Sequence, residues 1–475
     1  MPDPQAAAHA VGRGEIPSGE TTCRASIDRT RLAGLIARES DTYAATHPRS
    51  RDAFRASGHN LLGGVPMTWM RMWPGGFPLY LARAHGARLS DIDGNDLIDF
   101  CLGDTGAMAG HSPLAVQTAV ARRYADLGGA TTMLPTEDAA WVAAELARRF
   151  GPDRWSFTLT ATDANRWAIR LARQLTGRPK ILVFSYCYHG SVDESFIVAA
   201  PDGPHSREGN VGAPVDPRET TRVAEFNDAA ALERELAHGD VAAVLMEPAL
   251  TNIGIVLPLP GYLDRVRELT REHGTLLIND ETHTFSAGPG GCTREWGLQP
   301  DIVTIGKSIA GGIPAGAYGL SADLADAIMS DQDADLIDTG GVGGTLAGNA
   351  LSVAAMRATL DKVLTDAAFG AMIGLAARYT AGVQGVLDSR ALPWTVIQLG
   401  ARAEYRFCPA APHSGGESAA AADPQLDEYL HLYLANRGVL LTPFHNMALM
   451  SPATTETDVD THTQLFAAAV DELVK

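Results

Sequence analysis

Lysine is scarce in this sequence of 475 residues, which contains only four: Lys180, Lys307, Lys362 and Lys475. Basic residues of both kinds number 38 against 56 acidic ones, which gives a formal net charge of -18. Such a charge repels a polyanion, whereas nucleic-acid binding depends on basic side chains that displace the counterions of the phosphates. We therefore expect no nucleic-acid partner.

Cysteine is also sparse, and the five cysteines have neither a CxxC pair nor the spacing of zinc ligands. They are expected to be buried or incidental thiols, with no metal site: Cys23, Cys101, Cys187, Cys292 and Cys408. No apolar run approaches the roughly 20 residues of a membrane span, and the first residues lack the basic and apolar regions of a signal peptide. The sequence predicts a cytoplasmic protein with no membrane partner.

The order of apolar runs and turn residues predicts an α/β fold. Between residues 78 and 100, short alternating runs broken by His85-Gly86 and Asp93-Gly94 indicate a small antiparallel sheet. After Gly110, helices are predicted at 137–150, 163–175 and 262–273, and strands at 181–184, 241–246, 275–278 and 302–305. This alternation favours a mostly parallel sheet covered on both faces, whose ligand crevice lies at the carboxyl ends of the strands.

The two ends of the chain differ from this central part. The first 35 residues, rich in Ala, Gly, Pro and charge, are predicted to form a loose arm. Beyond about Asn349, a long helical stretch leads to strands at 396–399 and 405–407, a loop at 412–423 and a helix at 426–436. The chain length also favours one large domain and one small one. We expect the last region to be a smaller α+β domain.

Lys307 stands apart from the other lysines because it follows the apolar segment IVTI at its carboxyl end. Gly306 and the pair Gly311-Gly312 frame it, and glycine lets backbone approach a ligand closely. A lysine that snorkels from a strand end is the alternative. The segment is not a phosphate-binding P-loop, because Asp301 occupies the place of the required first glycine.

Asp280 directly follows the segment TLLIN, which is the predicted strand before the one that leads to Lys307. A carboxylate there can keep the pyridine nitrogen of pyridoxal phosphate (PLP) protonated, which makes the ring an electron sink. A metal ion bound by Asp280, Glu281 and His283 is the alternative, but no further ligand cluster stands nearby in the sequence.

Two weaker signals follow other strands. The segment 160–163 (TATD) opens a helix whose amides and hydroxyls could receive a phosphate, although such residues are more often N-caps. Tyr188, in YHG, could stack on a planar cofactor, although an aromatic residue after a strand more often belongs to the core. Four such signals in order at strand ends together indicate a PLP site.

These segments resemble the class III aminotransferases, and among them the branch of glutamate-1-semialdehyde aminomutase. The similar stretches are TATDANRWAIRLARQLTGRPKI, YHG, DE at 280 and 281, GLQPDIVTIGKSIAGGIPAGAYGLS, GTLAGNALS and NRGVLLTP. The resemblance implies a fold-type-I PLP transferase with a seven-stranded type of sheet. It further implies a large domain at 106–349 and a smaller one built from both chain ends, at 36–105 and 350–475.

The resemblance also assigns roles to single residues. It implies a Schiff base on Lys307, Asp280 as the partner of the ring nitrogen, and Tyr188 stacked on the ring. Phosphate contacts are implied for Ala161 and Thr162, and for Thr345 reaching across from the other subunit of a homodimer. Glu247, in MEP, matches an acidic family position near the active site.

The substrate end departs from the family. Thr282 stands where Val is common, and Thr284-Phe285-Ser286 stands where Gly-Phe-Arg is expected. Arg71 and Arg402 are the candidates to bind a substrate carboxylate. The predicted function is amino transfer from an amine or amino acid to a keto acid, ketone or aldehyde, through a pyridoxamine phosphate intermediate. The alternative is an aminomutase, which moves the amino group within one molecule.

Overall fold

The computed structural model of the protein describes residues 27–334, 336 and 340–474. Its strands are β1 (Leu81–His85), β2 (Arg88–Asp91), β3 (Asp96–Asp99), β4 (Arg154–Thr158), β5 (Lys180–Phe184), β6 (Ile197–Val198), β7 (His205–Ser206), β8 (Thr221–Ala224), β9 (Val241–Met246), β10 (Leu276–Asp280), β11 (Ile302–Ile305), β12 (Gly316–Leu320), β13 (Thr395–Leu399), β14 (Arg402–Arg406), β15 (Val439–Leu440) and β16 (Met447–Leu449). Its helices are α1 (Arg29–Thr46), α2 (Pro48–Ser57), α3 (Leu114–Ala121), α4 (Glu137–Phe150), α5 (Ala161–Thr176), α6 (Pro217–Thr220), α7 (Ala229–Leu236), α8 (Tyr262–Glu272), α9 (Gly291–Glu295), α10 (Ala322–Ser330), α11 (Ala350–Ala358), α12 (Asp366–Ser389), α13 (Gly415–Ala420), α14 (Pro424–Ala435) and α15 (Glu456–Val474).

The central sheet has seven strands in the order β4-β12-β11-β10-β9-β5-β8. Its strands run parallel except β12, which is antiparallel to both of its neighbours. Alternate residues of β5 and β9 pack on opposite faces, against α5 on one side and against α7 and α8 on the other. The predicted sheet, mostly parallel and covered on both faces, is confirmed.

The smaller region combines segments from both parts of the chain. Strands β1, β2 and β3 form the predicted antiparallel hairpins, and β15 joins them as a parallel fourth strand, with Val439 opposite Ile98. Strands β13, β14 and β16 form a separate antiparallel sheet on which α12 packs. Helix α1 packs against α14, so the residues that precede the central sheet are held by residues that follow it.

Three details of the prediction are wrong. Helix α1 begins at Arg29, inside the predicted arm, because Asp28 caps it and Leu32 and Leu35 are buried. The predicted loop at 412–423 contains the short helix α13. Strand β14 begins at Arg402, three residues before the predicted strand, because its buried side chains include charged ones that apolar patterning passes over.

Residues 1–26, with Cys23, lie outside the described part of the chain. The other four cysteines are buried, as predicted. Within the described ranges, none of the helices combines the length and the apolar character needed to cross a membrane.

Candidate active site

The carboxyl ends of the parallel strands open onto one cavity of about 440 Å³. Five residues predicted from separate segments line it: Ala161, Thr162, Tyr188, Asp280 and Lys307. Each follows or ends a different strand, respectively β4, β5, β10 and β11, with the first two sharing the turn after β4. The parallel sheet therefore brings together the residues that the sequence separates by almost 150 positions.

The backbone at Lys307 takes an unusual conformation. Its φ is +51°, in the left-handed region that side chains other than glycine rarely adopt. A Cβ atom on Gly306 would lie 2.8 Å from the backbone nitrogen of Ala161, so the end of β11 packs directly on the start of α5. Only glycine fits at 306, and the turn after it directs the Lys307 side chain into the cavity.

The amino group of Lys307 has two partners. It donates to Asp104 Oδ2 over 2.9 Å and lies 2.7 Å from His283 Nε2. Burial alone would raise the pKa of Asp104, but the charge of the nearby Lys307 holds it well below its ordinary value. Asp104 is therefore an ionised counter-charge for the lysine.

Asp280 is buried and receives three hydrogen bonds. Asn165 Nδ2 donates to Oδ2 over 2.8 Å, His189 Nδ1 lies 2.9 Å from the same oxygen, and the Thr282 amide donates to Oδ1 over 3.0 Å. Burial acts to raise the pKa of Asp280, but the hydrogen bond and charge of His189 lower it overall. An ionised carboxylate in this position can accept a hydrogen bond from a protonated ring nitrogen.

The turn after β4 begins helix α5 with free backbone amides. Thr160 Oγ1 accepts from the Asp163 amide over 3.1 Å, so Thr160 is an N-cap, which was the alternative raised for this segment. The amides of Ala161 and Thr162 belong to the first turn, where no carbonyl of the helix is available to them. Together with the positive end of a 16-residue helix, they suit an anion such as phosphate.

The segment after β5 closes the cavity on another side. A Cβ atom on Gly190, whose φ is +82°, would lie 2.1 Å from Thr162 Oγ1, so the two segments are in direct contact. The ring of Tyr188 lies 5.3 Å from that of Trp69, and Trp69 lies 5.7 Å from Phe444. These rings form an aromatic wall beside Lys307 and Asp280.

The metal alternative fails on the geometry of Glu281. This buried carboxylate accepts from the hydroxyl groups of Thr284 and Thr293 and from the amides of Cys292 and Thr293. A Cβ on Gly291 would lie 2.2 Å from Glu281 Oε2, which leaves no room for an ion there. Glu281 thus anchors the segment 291–293 beneath the site and supplies no ligand to the cavity.

The two candidate arginines lie in different surroundings. Arg402 is 1% exposed, its Nη2 donates to Thr105 Oγ1, and the same nitrogen lies 3.0 Å from His283 Nδ1. Arg71 is exposed and packs over Gly63, and neither arginine lines the cavity itself. Thr345 is also exposed and outside the cavity of its own chain. Of these three, the fold brings only Arg402 to the Lys307 cluster.

Several side chains of the site were not singled out from the sequence: Asp104, Thr105, Asn165 and His189. Asp104 stands in GDTG, where paired glycines were an available signal. Glu247 is buried near the site, and burial raises the pKa of this carboxyl to about 7. Thr251 donates a hydrogen bond to it.

The family model for class-III aminotransferases matches residues 71–468. The chain belongs to this family. It is 35% identical over 431 residues to a glutamate-1-semialdehyde 2,1-aminomutase from Sorangium cellulosum, covering 87% of this chain and 94% of that protein. The matched residues 71–468 thus include both the central sheet and most of the smaller region.

Two solved structures resemble this fold. One is a glutamate-1-semialdehyde aminomutase from Pseudomonas aeruginosa PAO1, a lysine-to-alanine variant in complex with PMP: 49% identity, 94% of this chain, 99% of that one and a TM-score of 0.91. The other is an omega-transaminase from Sphaerobacter thermophilus: 30% identity, 89% of this chain, 97% of that one and a TM-score of 0.81. The fold-type-I assignment and the PLP cofactor are confirmed.

The cavity of this class-III chain fits that cofactor. It combines a lysine, an ionised carboxylate, free helix amides and an aromatic wall within about 440 Å³. Two buried polar atoms beside it, His189 Nε2 and Thr282 Oγ1, have no protein partner. Such groups are satisfied when a polar ligand or water fills the cavity.

Proposed function

We propose that this enzyme moves an amino group between neighbouring carbons of one substrate molecule, as an aminomutase does. The similar proteins of Sorangium cellulosum and Pseudomonas aeruginosa both carry that name, and each match covers most of both chains. The sequence alone favours transfer between two substrates, whereas the comparisons support the aminomutase alternative better. The main observation in support of PLP chemistry, which both candidate functions share, is that Lys307 and Asp280 line one cavity at the strand ends.

Lys307 is the proposed acid and base of the reaction. PLP, when bound, supplies the aldehyde that takes up the amino group and the ring that delocalises charge from the substrate carbon. Once its own amine is free, Lys307 could take a proton from a substrate carbon as base and give a proton back as acid. Asp104 stabilises the ammonium form of Lys307, from which it accepts a hydrogen bond of 2.9 Å. Asp280 would keep a proton on the ring nitrogen of the bound cofactor.

The remaining residues are proposed to orient the cofactor. Ala161 and Thr162 would hold its phosphate at the start of α5, and Tyr188 would pack on its ring. Thr345 lies outside its own cavity, which is consistent with the proposed role of completing the phosphate site of the partner in a homodimer. Exposed apolar side chains support such a subunit interface, among them Leu346, Met133 and Leu134.

Amino transfer between two substrates is the second candidate. The segment Thr284-Phe285-Ser286 replaces the Gly-Phe-Arg expected in the aminomutase branch, and the fold also matches an omega-transaminase. The PLP form mixed with amines, α-amino acids or β-amino acids, without acceptor, would then give pyridoxamine phosphate and a free carbonyl product. An aminomutase instead converts glutamate-1-semialdehyde into its amino-shifted isomer without net loss of amine. We expect the isomer, detected by chromatography; release of one carbonyl per site from donors alone would favour the second candidate.

Arg402 is the proposed partner of a substrate carboxylate. Its guanidinium lies beside His283, which lines the cavity, and its Nε atom has no hydrogen-bond partner. We expect Arg402→Ala to raise KM for carboxylated substrates about tenfold or more, the loss of a charge-assisted contact of about 1.5–3 kcal/mol. Amines without a carboxylate should be much less affected.

Arg71→Ala belongs in the same series, since Arg71 is the other candidate from the sequence. Arg378→Ala is the matched control, because this half-exposed arginine pairs with Asp460 through 2.7 and 2.8 Å hydrogen bonds. KM is measured for each variant with matched pairs of carboxylated and carboxylate-free substrates. Equal effects on both members of each pair would show that neither Arg71 nor Arg402 binds the substrate.

A further inference from the structure

His283 lies between the reactive amine and the buried guanidinium. Its Nε2 is 2.7 Å from Lys307 Nζ, and its Nδ1 is 3.0 Å from Arg402 Nη2 and 3.3 Å from Thr105 Oγ1. The ring lines the cavity, on the turn directly after Asp280. Both ring nitrogens are thus engaged, Nε2 by the amine and Nδ1 by a guanidinium that can only donate and a hydroxyl that can also accept.

A strained loop brings this pair of groups to the histidine. Leu102, Gly103, Asp104 and Thr105 have φ values of 43°, 59°, 50° and 79°, four left-handed residues in succession. A β-branched residue such as Thr105 rarely adopts this conformation. The loop places Asp104 on Lys307 and Thr105 on both Arg402 and His283. Strain of this kind persists where surrounding contacts hold it, and it concentrates at functional sites.

The two partners of Nδ1 make either neutral tautomer of the ring acceptable. With the proton on Nδ1, the ring donates to Thr105 Oγ1, and Nε2 accepts from the ammonium of Lys307. With the proton on Nε2, the ring donates to the lone pair of the neutral amine, and Nδ1 accepts from Arg402. Each tautomer therefore matches one protonation state of Lys307, and neither leaves a ring nitrogen unpaired.

We propose that His283 is a positioning residue that holds the amino group of Lys307 in both of its protonation states by changing tautomer between Thr105 and Arg402. The inference rests on the proposed function, in which Lys307 both takes up and returns a proton. An amine that is held in one position both as base and as acid stays directed at the substrate carbon throughout the proton movement. Asp104 alone cannot do this, because a carboxylate can only accept hydrogen bonds from the amine.

The charges around the ring keep it neutral, as this role requires. Lys307 and Arg402 face it with positive charge, and Asp104 and Asp280 face it with negative charge. Removal from water and the charge of Lys307 lower the pKa of His283 well below its ordinary value, against the opposing effect of the two carboxylates. A protonated ring would have donors at both nitrogens and could accept from neither neighbour.

The test compares His283→Leu, which fills the space without hydrogen bonds, with His283→Gln, whose amide can donate or accept at its end. The first readout uses cofactor-free protein and pyridoxal phosphate alone: the rate at which the visible absorbance of Lys307-bound cofactor develops. We expect the leucine variant to be at least tenfold slower than the unchanged protein and the glutamine variant to recover part of that loss. The second readout is turnover, where kcat should fall at least tenfold with KM within twofold.

His462→Leu is the matched control, because His462 is another buried histidine whose pKa burial lowers, to about 3, and it lies against Tyr379 and Phe100. It should leave both rates unchanged. Leucine-variant rates within twofold of the unchanged protein, or a glutamine variant as slow as the leucine one, would overturn the proposal. If the leucine variant does not fold, the glutamine variant decides alone. A rate of cofactor attachment below that of the unchanged protein supports the proposal, and an unchanged rate overturns it. Failure of the proposed function would appear as absent turnover in the unchanged protein, and reconstitution would still report on His283.

Discussion

Lys307→Ala is expected to abolish turnover, with a fall of about four orders of magnitude or more, because the variant loses both its nucleophile and its acid-base group. None of the other described lysines can replace it. Lys180 donates to the Arg218 carbonyl over 3.0 Å at the amino end of β5, and Lys362 pairs with Asp361 over 2.9 Å on the surface. Loss of the visible absorbance of lysine-bound cofactor measures the same change directly.

Lys362→Ala is the control for this variant, since it removes an exposed lysine and should keep full activity. The P. aeruginosa relative has been crystallised as a lysine-to-alanine variant with PMP, so a change of this kind is compatible with a folded chain there. Size-exclusion chromatography and thermal unfolding test whether the Lys307→Ala variant of this protein is folded. If Lys307→Ala kept more than about one hundredth of the normal turnover rate, Lys307 would not be the acid-base group of the reaction.

Asp280→Asn is expected to retain the cofactor and to lower kcat by at least about a hundredfold. An amide of the same shape has one acceptor oxygen, so it can keep the contact with Asn165 or the one with Thr282 but not both, and it carries no charge to hold a proton on the ring nitrogen. Removal of one preorganised electrostatic contact in an active site typically costs 10² to 10³ in rate. Cofactor content measured by absorbance, beside the rate, separates the two effects.

Asp460→Asn serves as the control for Asp280→Asn, because Asp460 is a surface carboxylate paired with Arg378. It should change neither cofactor content nor rate. If Asp280→Asn turned over at the normal rate, the carboxylate would be structural, a buried partner of His189 and nothing more.

Features set by local patterning could be predicted from the sequence. Helix α4 and strands β9 and β11 match the predicted bounds, because periodicity and flanking turn residues determine such elements over a few neighbours. The same reasoning placed Lys307 and Asp280 at adjacent strand ends. In a parallel sheet, adjacency at that edge follows once the strands are known.

The contacts that tune those two residues could not be predicted in this way. Asn165 lies 115 positions from Asp280, and Asp104 lies 203 positions from Lys307. Nothing local marks such pairs, since they depend on how separate segments pack in three dimensions. Arg402 shows the same limit, because a charged residue in a strand is expected at the surface and this one is buried.

The pairing of β15 with β3 has a consequence for the newly made chain. Strand β3 ends at Asp99, and its parallel neighbour begins at Val439, so its edge stays unpaired while all the residues between them are synthesised. At a synthesis rate of about 5–20 residues per second, the interval between the two strands lasts roughly tens of seconds. The central sheet can form in this interval, whereas Arg402 reaches Thr105 only near its end. A nascent chain stopped before residue 439 would carry an exposed strand edge, the kind of surface on which chains aggregate.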